Sequence, residues 1–193
     1  MNTQSGVYRR SAITIQSVTR NLVVTSLLLS ALVASALAMG SRPPAAGMPA
    51  SEFSLTDLHG KAHSLEQYKG KVVLLNFWAT WCKPCTSEMP AMQTVYDQLR
   101  DKDFVVLAVN ELEDEAKVRE HIQQYKHTFP VLLDRQNQVA NQYGVFGLPV
   151  SVFIDQQGVV QEYIKGGLLT ERKIHEIVSR IQSAAPIKAA ALQ

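Results

Sequence analysis

The sequence predicts an α/β fold, with a mixed central β-sheet flanked by helices. Two observations carry this prediction. Apolar runs of strand length alternate with amphipathic helical stretches in the first half of the chain, which indicates parallel strands joined by right-handed crossovers. Near the end, two strand-like runs flank the turn Asp155–Gly158, which adds an antiparallel hairpin to the sheet.

The first predicted elements lead to a pair of cysteines. Phe53–Leu58 and Ala62–Leu65 flank a turn at His59 and Gly60, which predicts a small N-terminal hairpin. Val72–Phe77 is almost continuously apolar, as a strand buried on both faces should be. The cysteines and a helix follow this strand.

Further helices and strands complete the predicted domain. Apolar residues recur at helical spacing between Glu88 and Leu99, where Pro90 is expected to kink the helix. The later elements, in order, are a buried strand at Phe104–Val109, a helix beginning near Asp114, an apolar piece at Val131–Leu133, a helix around Gln136–Tyr143, strands at Val150–Ile154 and Val159–Ile164, and a helix capped by Thr170.

Four segments are predicted along the 193 residues. Residues 1–40 form a signal or membrane-anchor segment, 41–52 a linker, 53–182 the domain, and 183–193 a loose tail. The linker contains three prolines, which favour an extended and semi-rigid chain.

The N-terminal segment has the features of a targeting signal. Arg20 precedes Leu22–Ala38, an apolar run of 17 residues interrupted only by small hydroxyl residues. Ala36-Leu37-Ala38 fits a cleavage site, whereas the run length and the basic flank favour a retained anchor, so both outcomes stay open. Either way, the domain is expected outside the cytoplasm, at the periplasmic face of the inner membrane.

The net charge of +2 arises at the N-terminus. Residues 1–40 carry three arginines and no acid, which leaves 16 basic and 17 acidic residues in the rest of the chain. A nearly neutral domain offers no electrostatic basis for binding nucleic acid.

Cys82 and Cys85 are the only cysteines, and they lie at the strand-to-helix junction. Two intervening residues at a helix start bring the sulfurs close enough to form a disulfide. Because a helix N-terminus stabilises an anion, the pKa of the Cys82 thiol should fall below its free value of about 8.5. So short a loop gains little stability from cross-linking, and the pair is therefore better suited to redox turnover.

Five stretches of sequence occur in a recognisable order: GKVVLLNFWATWCKPC (Gly70–Cys85), EMP (Glu88–Pro90), FVVLAVN (Phe104–Asn110), FPVLLD (Phe129–Asp134) and GVFGLPVSVFID (Gly144–Asp155). They resemble the thioredoxin-like superfamily, and most closely its TlpA/ResA-like group of membrane-tethered, extracytoplasmic thiol–disulfide oxidoreductases. The resemblance covers residues 53–182 and implies a thioredoxin-like fold with an added N-terminal β-hairpin.

The resemblance also implies roles for individual residues. Cys82 would be the exposed nucleophile and Cys85 the buried resolving thiol of a dithiol/disulfide cycle that needs no bound cofactor. Leu148 and Pro149 would be joined by a cis peptide bond facing the cysteines and, together with Trp81, would contact the substrate. The implied activity is reduction of oxidised client proteins, with apocytochrome c as one candidate, using electrons from a membrane donor.

Two positions depart from patterns seen in related proteins. Asn76 stands where cytosolic thioredoxins carry a buried carboxylate, and an amide cannot accept and return a proton. The resemblance implies that Glu88, on the same helix face as Cys85, carries the proton instead; the alternative is a solvated glutamate on the helix surface. Val150 follows the proline where many relatives have threonine. Ser151 need not replace the lost hydroxyl, because successive strand residues point to opposite faces of a sheet.

Other functions remain open. A peroxide reductase commonly uses a threonine and an arginine beside its cysteine; Thr80 is present, but no arginine lies between Gly70 and Gln98. A non-enzymatic redox-sensing module would use the same cysteines without turnover. A zinc site built from His59, His63 and the cysteines is disfavoured because the histidines surround a turn, and no metal site is predicted.

The remaining polar groups have weaker signals. His121, His127 and His175 are expected to be solvated on helix faces or ends. The acidic run Glu111–Glu115 either stabilises the next helix N-terminus or forms a lip near the active turn that selects partners.

Overall fold

Seven strands and four α-helices occur within residues 43–190, the part of the chain that this computed structural model describes. The strands are β1 (Ser54–Thr56), β2 (Ala62–Ser64), β3 (Val72–Trp78), β4 (Phe104–Glu111), β5 (Val131–Asp134), β6 (Val150–Ile154) and β7 (Val160–Lys165). The helices are α1 (Lys83–Leu99), α2 (Glu115–Tyr125), α3 (Gln138–Gln142) and α4 (Glu171–Ala190), and Leu65–Tyr68 forms a 3-10 turn.

A five-stranded mixed sheet forms the centre of the fold, in the order β5-β4-β3-β6-β7. β3, β4 and β5 are parallel, as helical crossovers require. β6 is antiparallel to β3, and β7 is antiparallel to β6. The predicted mixed sheet, including the hairpin near its end, is confirmed.

The predicted N-terminal hairpin is also confirmed, since β1 and β2 pair antiparallel with Leu55 opposite His63. An isolated bridge between Asp57 and Leu132 joins this hairpin to β5. The His63 ring is buried between Asp57, whose carboxylate lies 2.9 Å away, and the Tyr68 hydroxyl at 2.5 Å. This polar chain fixes the hairpin to the start of the main domain.

Two apolar clusters cover the two faces of the sheet. On one face α1, α2 and α4 pack against the strands through Met92, Val118 and Ile177 among others. On the other face α3 and the segment before β1 pack through Tyr143 and Phe53. Helices therefore lie on both faces, as predicted, and burial of these side chains supplies the main stabilising term at roughly 25 cal/mol per Å².

β4 extends two residues beyond its predicted end at Val109. Asn110 and Glu111 are polar, yet both remain in the ladder, opposite Leu133 and Asp134 of β5. Backbone pairing, rather than apolarity, sets this boundary. The extension brings polar side chains to the end of the sheet where the cysteines lie.

The C-terminal region differs from the prediction of a loose tail over residues 183–193. α4 continues without a break to Ala190. Alanine, the strongest helix former, makes up much of this stretch, so the helix extends past Gln182.

The described part of the predicted linker (residues 41–52) makes backbone hydrogen bonds with the domain. Pro49 bridges Val159, and the Gly47 N–H donates to the Val160 carbonyl at 2.8 Å. The predicted signal or anchor segment, residues 1–40, lies outside the described residues. No helix within residues 43–190 combines the length and apolarity needed to cross a membrane.

Candidate active site

A disulfide joins Cys82 and Cys85 at the start of α1, with the two Cα atoms 5.3 Å apart. Cys82 is the N-cap residue of this helix, and its Sγ accepts a hydrogen bond from the Cys85 N–H at 3.3 Å. Pro84 lies in the first turn, where its missing N–H removes no helical hydrogen bond. A thiolate at Cys82 would therefore be stabilised by the helix N-terminus once the disulfide opens.

The two sulfurs differ in accessibility. Cys82 is 5% exposed and Cys85 is fully buried. Cys82 is thus the more accessible cysteine, but at 5% it is largely buried rather than exposed as the resemblance implies. Of the two residues, Cys82 alone retains any exposed surface.

β3 and a tight turn deliver the cysteines to the surface. All seven residues of β3 are buried. The turn Ala79–Cys82 is closed by a hydrogen bond from the Cys82 N–H to the Ala79 carbonyl at 3.1 Å, and α1 begins at the next residue. Trp81, within this turn, is 69% exposed and lies beside the disulfide.

Glu88 lies one turn after Cys85 and is only 1% exposed. Its Oε1 accepts a hydrogen bond from Asn76 Nδ2 at 2.8 Å, and its Oε2 accepts one from the Leu169 N–H at 3.1 Å. Burial raises the pKa of Glu88, although these two hydrogen bonds act in the opposite direction. Both donors are neutral, so they favour the ionised carboxylate less than an ion pair would.

Ser151 belongs to the same polar group, which the sequence pattern does not predict. Asn76 Nδ2 also donates to Ser151 Oγ at 2.9 Å, and the two residues are opposite each other in the β3–β6 register. Val150 packs on the other face of the sheet with Phe77. The register therefore places Ser151 on the Glu88 face, where it supplies a hydroxyl after all.

The peptide bond between Leu148 and Pro149 is cis, as the resemblance implies. The next residue, Val150, pairs with Phe77, so Pro149 lies at the end of the sheet from which the cysteine turn leaves. The Pro149 carbonyl accepts a hydrogen bond from the Gly166 N–H at 2.9 Å. Leu148 packs against the apolar cluster that includes both cysteines.

The acidic run Glu111–Glu115, which begins at the last residue of β4, contains residues with different partners. Glu115, in the first turn of α2, pairs with Arg119 and Arg135, in keeping with the expected role at the helix N-terminus. Glu113 instead contacts Thr80 in the cysteine turn. The one sequence signal for this contact is position, because neighbouring parallel strands bring their carboxyl ends together.

Glu111 is the least satisfied member of that run. Its Oε1 is buried and has no hydrogen-bond partner among the described residues. Burial and the nearby Asp134 carboxylate raise the pKa of Glu111 to about 7.

The expectation that all of the later histidines are solvated is wrong for His127. Its ring is buried and stacks between Tyr125 and Phe129. Burial lowers the pKa of His127 to about 4, and the neighbouring His121 adds to the effect. His121 in turn packs against Trp78, with the ring centroids 5.3 Å apart.

The two histidines considered as zinc ligands, His59 and His63, lie in different surroundings. His63 is buried and engaged by Asp57 and Tyr68, whereas His59 is exposed. Within residues 43–190, no group of three or more histidine, cysteine, aspartate or glutamate side chains is arranged to hold a metal ion.

Exposed apolar side chains lie close in sequence to the elements of the site. Trp81 precedes Cys82, Leu112 follows β4, Phe146 precedes the cis bond, and Leu168 precedes the Leu169 amide that binds Glu88; all four side chains are exposed. We call these four residues the apolar rim. Because each of the four adjoins a segment of the site in sequence, they are candidates for contact with other molecules.

The fold and the site define a thioredoxin-like dithiol oxidoreductase. The AhpC/TSA family model matches residues 46–163. The thiol-disulfide oxidoreductase ResA of Geobacillus thermodenitrificans is 42% identical over 142 residues, which cover 74% of this chain and 79% of that protein. The thioredoxin-like protein YneN of Bacillus subtilis is 42% identical over 133 residues, covering 67% and 76%.

Solved structures of thiol:disulfide interchange proteins are also similar to this chain. The thiol:disulfide interchange protein of the thioredoxin family from Chlorobium tepidum superposes with a TM-score of 0.64 at 30% identity, covering 71% of this chain and 97% of that one. The putative thiol:disulfide interchange protein DsbE from Chlorobium tepidum superposes with a TM-score of 0.65 at 32% identity, covering 74% of this chain and 98% of that one. The chain belongs to the AhpC/TSA family and is a thiol–disulfide oxidoreductase of the ResA and DsbE type. The resemblance to the TlpA/ResA-like group is thereby confirmed.

Proposed function

We propose that the protein reduces disulfides in client proteins outside the cytoplasm, with Cys82 as the attacking thiol. The observation that carries this proposal is the difference in burial within the disulfide. Cys82 is 5% exposed and follows the exposed Trp81, whereas Cys85 is fully buried. A client sulfur can therefore bond to Cys82, which leaves Cys85 to resolve the intermediate.

The proposed cycle moves two electrons from the dithiol to the client. The Cys82 thiolate attacks one sulfur of a client disulfide, forms a mixed disulfide and releases the first client thiolate. Cys85 loses its proton and attacks the Cys82 sulfur. The Cys82–Cys85 disulfide forms and the second client thiolate leaves. A membrane electron donor then reduces the pair, so no bound cofactor is required.

Glu88 is the proposed acceptor of the Cys85 proton. It lies on the same buried face of α1 one turn further along, and burial raises its pKa. A carboxyl group that is readily protonated can take a proton from a thiol and return it in the next half-cycle. Asn76 cannot do this, but it holds Glu88 in place through a hydrogen bond of 2.8 Å.

The apolar rim and the cis-proline segment are the proposed contact surface for clients. Trp81 and Phe146 are exposed large apolar side chains on the cysteine turn and on the segment before the cis bond. Together with Leu148 and Pro149 they suit an apolar stretch of unfolded polypeptide around the client disulfide. Apocytochrome c is one such client, and the nearly neutral domain gives no reason to expect nucleic acid.

The cellular location rests on the N-terminal sequence. The apolar run Leu22–Ala38 supports export, either as a retained anchor or as a signal cleaved after Ala38. Residues 1–40 would then hold or direct the domain 53–182 to the periplasmic face of the inner membrane. Such a location suits reduction of proteins that have been oxidised after export.

Trapping of the mixed disulfide tests this function. Cys85→Ala removes the resolving thiol, so intact cells producing this variant should accumulate covalent complexes with clients, separable after rapid acid quenching. The matched control, Cys82→Ala, should give none. Failure of a folded Cys85→Ala protein with a reactive Cys82 to trap any client would contradict the proposal.

Enzyme assays separate the alternatives. Turnover of hydrogen peroxide by the wild-type protein would instead support a peroxide reductase. Reversible oxidation with no turnover of any disulfide would support a redox-sensing module.

A further inference from the structure

We propose that Glu113 is a positioning residue that holds the cysteine turn and thereby sets the reactivity of Cys82. This inference rests on the proposed role of Cys82 as the attacking thiol. The sequence predicts that the acidic run either stabilises the N-terminus of the next helix or forms a lip that selects partners. The proposed role of Glu113 is neither of these, because the Glu113 carboxylate contacts the cysteine turn itself.

The Glu113 carboxylate is buried and makes hydrogen bonds through both oxygens. Its Oε2 accepts the Thr80 N–H at 2.6 Å, and its Oε1 accepts the Thr80 hydroxyl at 2.6 Å. Asn110 Nδ2 donates to Oε2 at 2.9 Å, and Lys117 Nζ lies 2.7 Å from Oε1. The Glu113 side chain is only 5% exposed, so it is poorly placed to form a lip that selects partners.

The contacts from Glu113 hold Thr80, which lies within the cysteine turn. Thr80 is the second residue of the turn Ala79–Cys82, whose closing hydrogen bond is already made by the Cys82 N–H. Glu113 fixes the Thr80 N–H and its side chain at the same time. A two-point contact of this kind restrains both the backbone and the rotamer, and so fixes the direction in which the chain enters α1.

The direction of entry matters because Cys82 is the N-cap residue of α1. A sulfur at that position is stabilised as a thiolate by the helix N-terminus, and this stabilisation falls off within the first turn. Loosening the turn would move the sulfur relative to the free N–H groups. The pKa of the Cys82 thiol would then rise, and less thiolate would be present below that pKa.

The charge of Glu113 is balanced locally. Burial by itself raises the pKa of Glu113, but the hydrogen bonds from Lys117, Thr80 and Asn110 outweigh it and lower the pKa. The carboxylate is therefore ionised at neutral pH, and the Lys117 ammonium group offsets its repulsion of a nearby thiolate. Position, rather than net charge, is the contribution of Glu113 to Cys82.

The test measures the thiolate of Cys82 in a Cys85→Ala background. The rate of alkylation by iodoacetamide is followed against pH for Glu113→Gln, for Thr80→Val and for the double variant. Each single variant is expected to raise the pKa of Cys82 and to slow alkylation below that pKa roughly threefold. The effects in the double variant should be less than additive, because both substitutions weaken the same two-point contact and Thr80→Val removes only its hydroxyl arm.

Two controls separate positioning from general destabilisation. Thr80→Ser keeps the hydroxyl donor and should behave like the parent protein. Glu120→Gln, at an exposed glutamate of α2, should also leave the alkylation profile unchanged. Urea unfolding of each variant reports stability separately from reactivity.

Two results would overturn the inference: an unchanged Cys82 pKa in folded Glu113→Gln and Thr80→Val, or fully additive effects in the double variant. These outcomes are distinct from failure of the proposed function, which shows as absence of trapped clients in the Cys85→Ala protein with Glu113 intact.

Discussion

Glu88 and Glu113 are both buried carboxylates near the disulfide, yet their surroundings shift their pKa values in opposite directions. Glu88 accepts hydrogen bonds from an amide side chain and a backbone N–H, and burial raises its pKa. Glu113 meets a lysine as well as neutral donors, and its pKa is lowered. A buried carboxyl group without a cation is suited to carry a proton, whereas one that is ion-paired and fully bonded is suited to fix geometry.

The largest expected effect comes from Glu88→Gln. An amide cannot take the proton of Cys85, so resolution of the mixed disulfide should slow at neutral pH by about tenfold or more. The pH profile of disulfide exchange should also lose the titration that Glu88 contributes. Stopped-flow reaction of the reduced protein with oxidised glutathione measures both quantities.

The same substitution at Glu113 provides the matched comparison for that profile. Glu113→Gln should shift the titration of Cys82 but should retain the limb that belongs to Glu88. An identical profile for Glu88→Gln and the wild-type protein would reduce Glu88 to a structural residue.

A smaller effect is expected from Glu111→Gln, at a carboxyl group whose buried Oε1 has no hydrogen-bond partner in the described part of the chain. The pKa of Glu111 is raised to about 7 in the folded protein, so unfolding is favoured as the pH rises from about 4.5 toward 7 and the penalty persists above that range. Because the side chain is half-buried, we expect the variant to be more stable than the wild type by roughly 1–2 kcal/mol at pH ~8. At pH ~4 this ionisation penalty should be absent.

Urea unfolding at both pH values measures this difference, with Glu120→Gln as the exposed control. If Glu111→Gln and the wild type differ in free energy of unfolding by the same amount at both pH values, the ionisation of Glu111 does not cause that difference.

The smallest effect is expected from Lys117→Met, which removes the cation from Glu113 and keeps the other three hydrogen bonds. Lys117 is largely exposed, so the loss of stability should be under about 1 kcal/mol at neutral pH. The pKa of Cys82 should rise slightly, because the Glu113 charge is then less well offset. Iodoacetamide alkylation and urea unfolding report the two effects. A large loss of stability would show that the ion pair itself, rather than the contact with Thr80, is the main contribution of this site.

The elements of the fold follow closely from the sequence because their signals are local. The apolar run at β3, the helical spacing after Glu88 and the turn at Asp155–Gly158 each predict an element that is present. The cysteine pair at a helix start is a local signal of the same kind. The end of α4 was harder to predict, since an alanine-rich stretch at a chain terminus is compatible with either a helix or a loose tail.

The polar contacts around the site depend on register, which no local pattern encodes. Ser151 reaches Asn76 only because β6 is aligned so that the two residues are opposite. Glu113 reaches Thr80 across 33 positions of sequence because β4 and β3 end side by side. The burial of His127 likewise comes from packing against aromatic rings. Such contacts become visible only when the strands are placed in space.

The reduction potential of the Cys82–Cys85 pair is the most direct test of the proposed reductase. The wild-type protein is equilibrated with glutathione redox buffers, and the fraction of disulfide is measured by trapping free thiols. A potential well below about −200 mV would support a reductase. A potential near about −120 mV, typical of a strong oxidant, would contradict it.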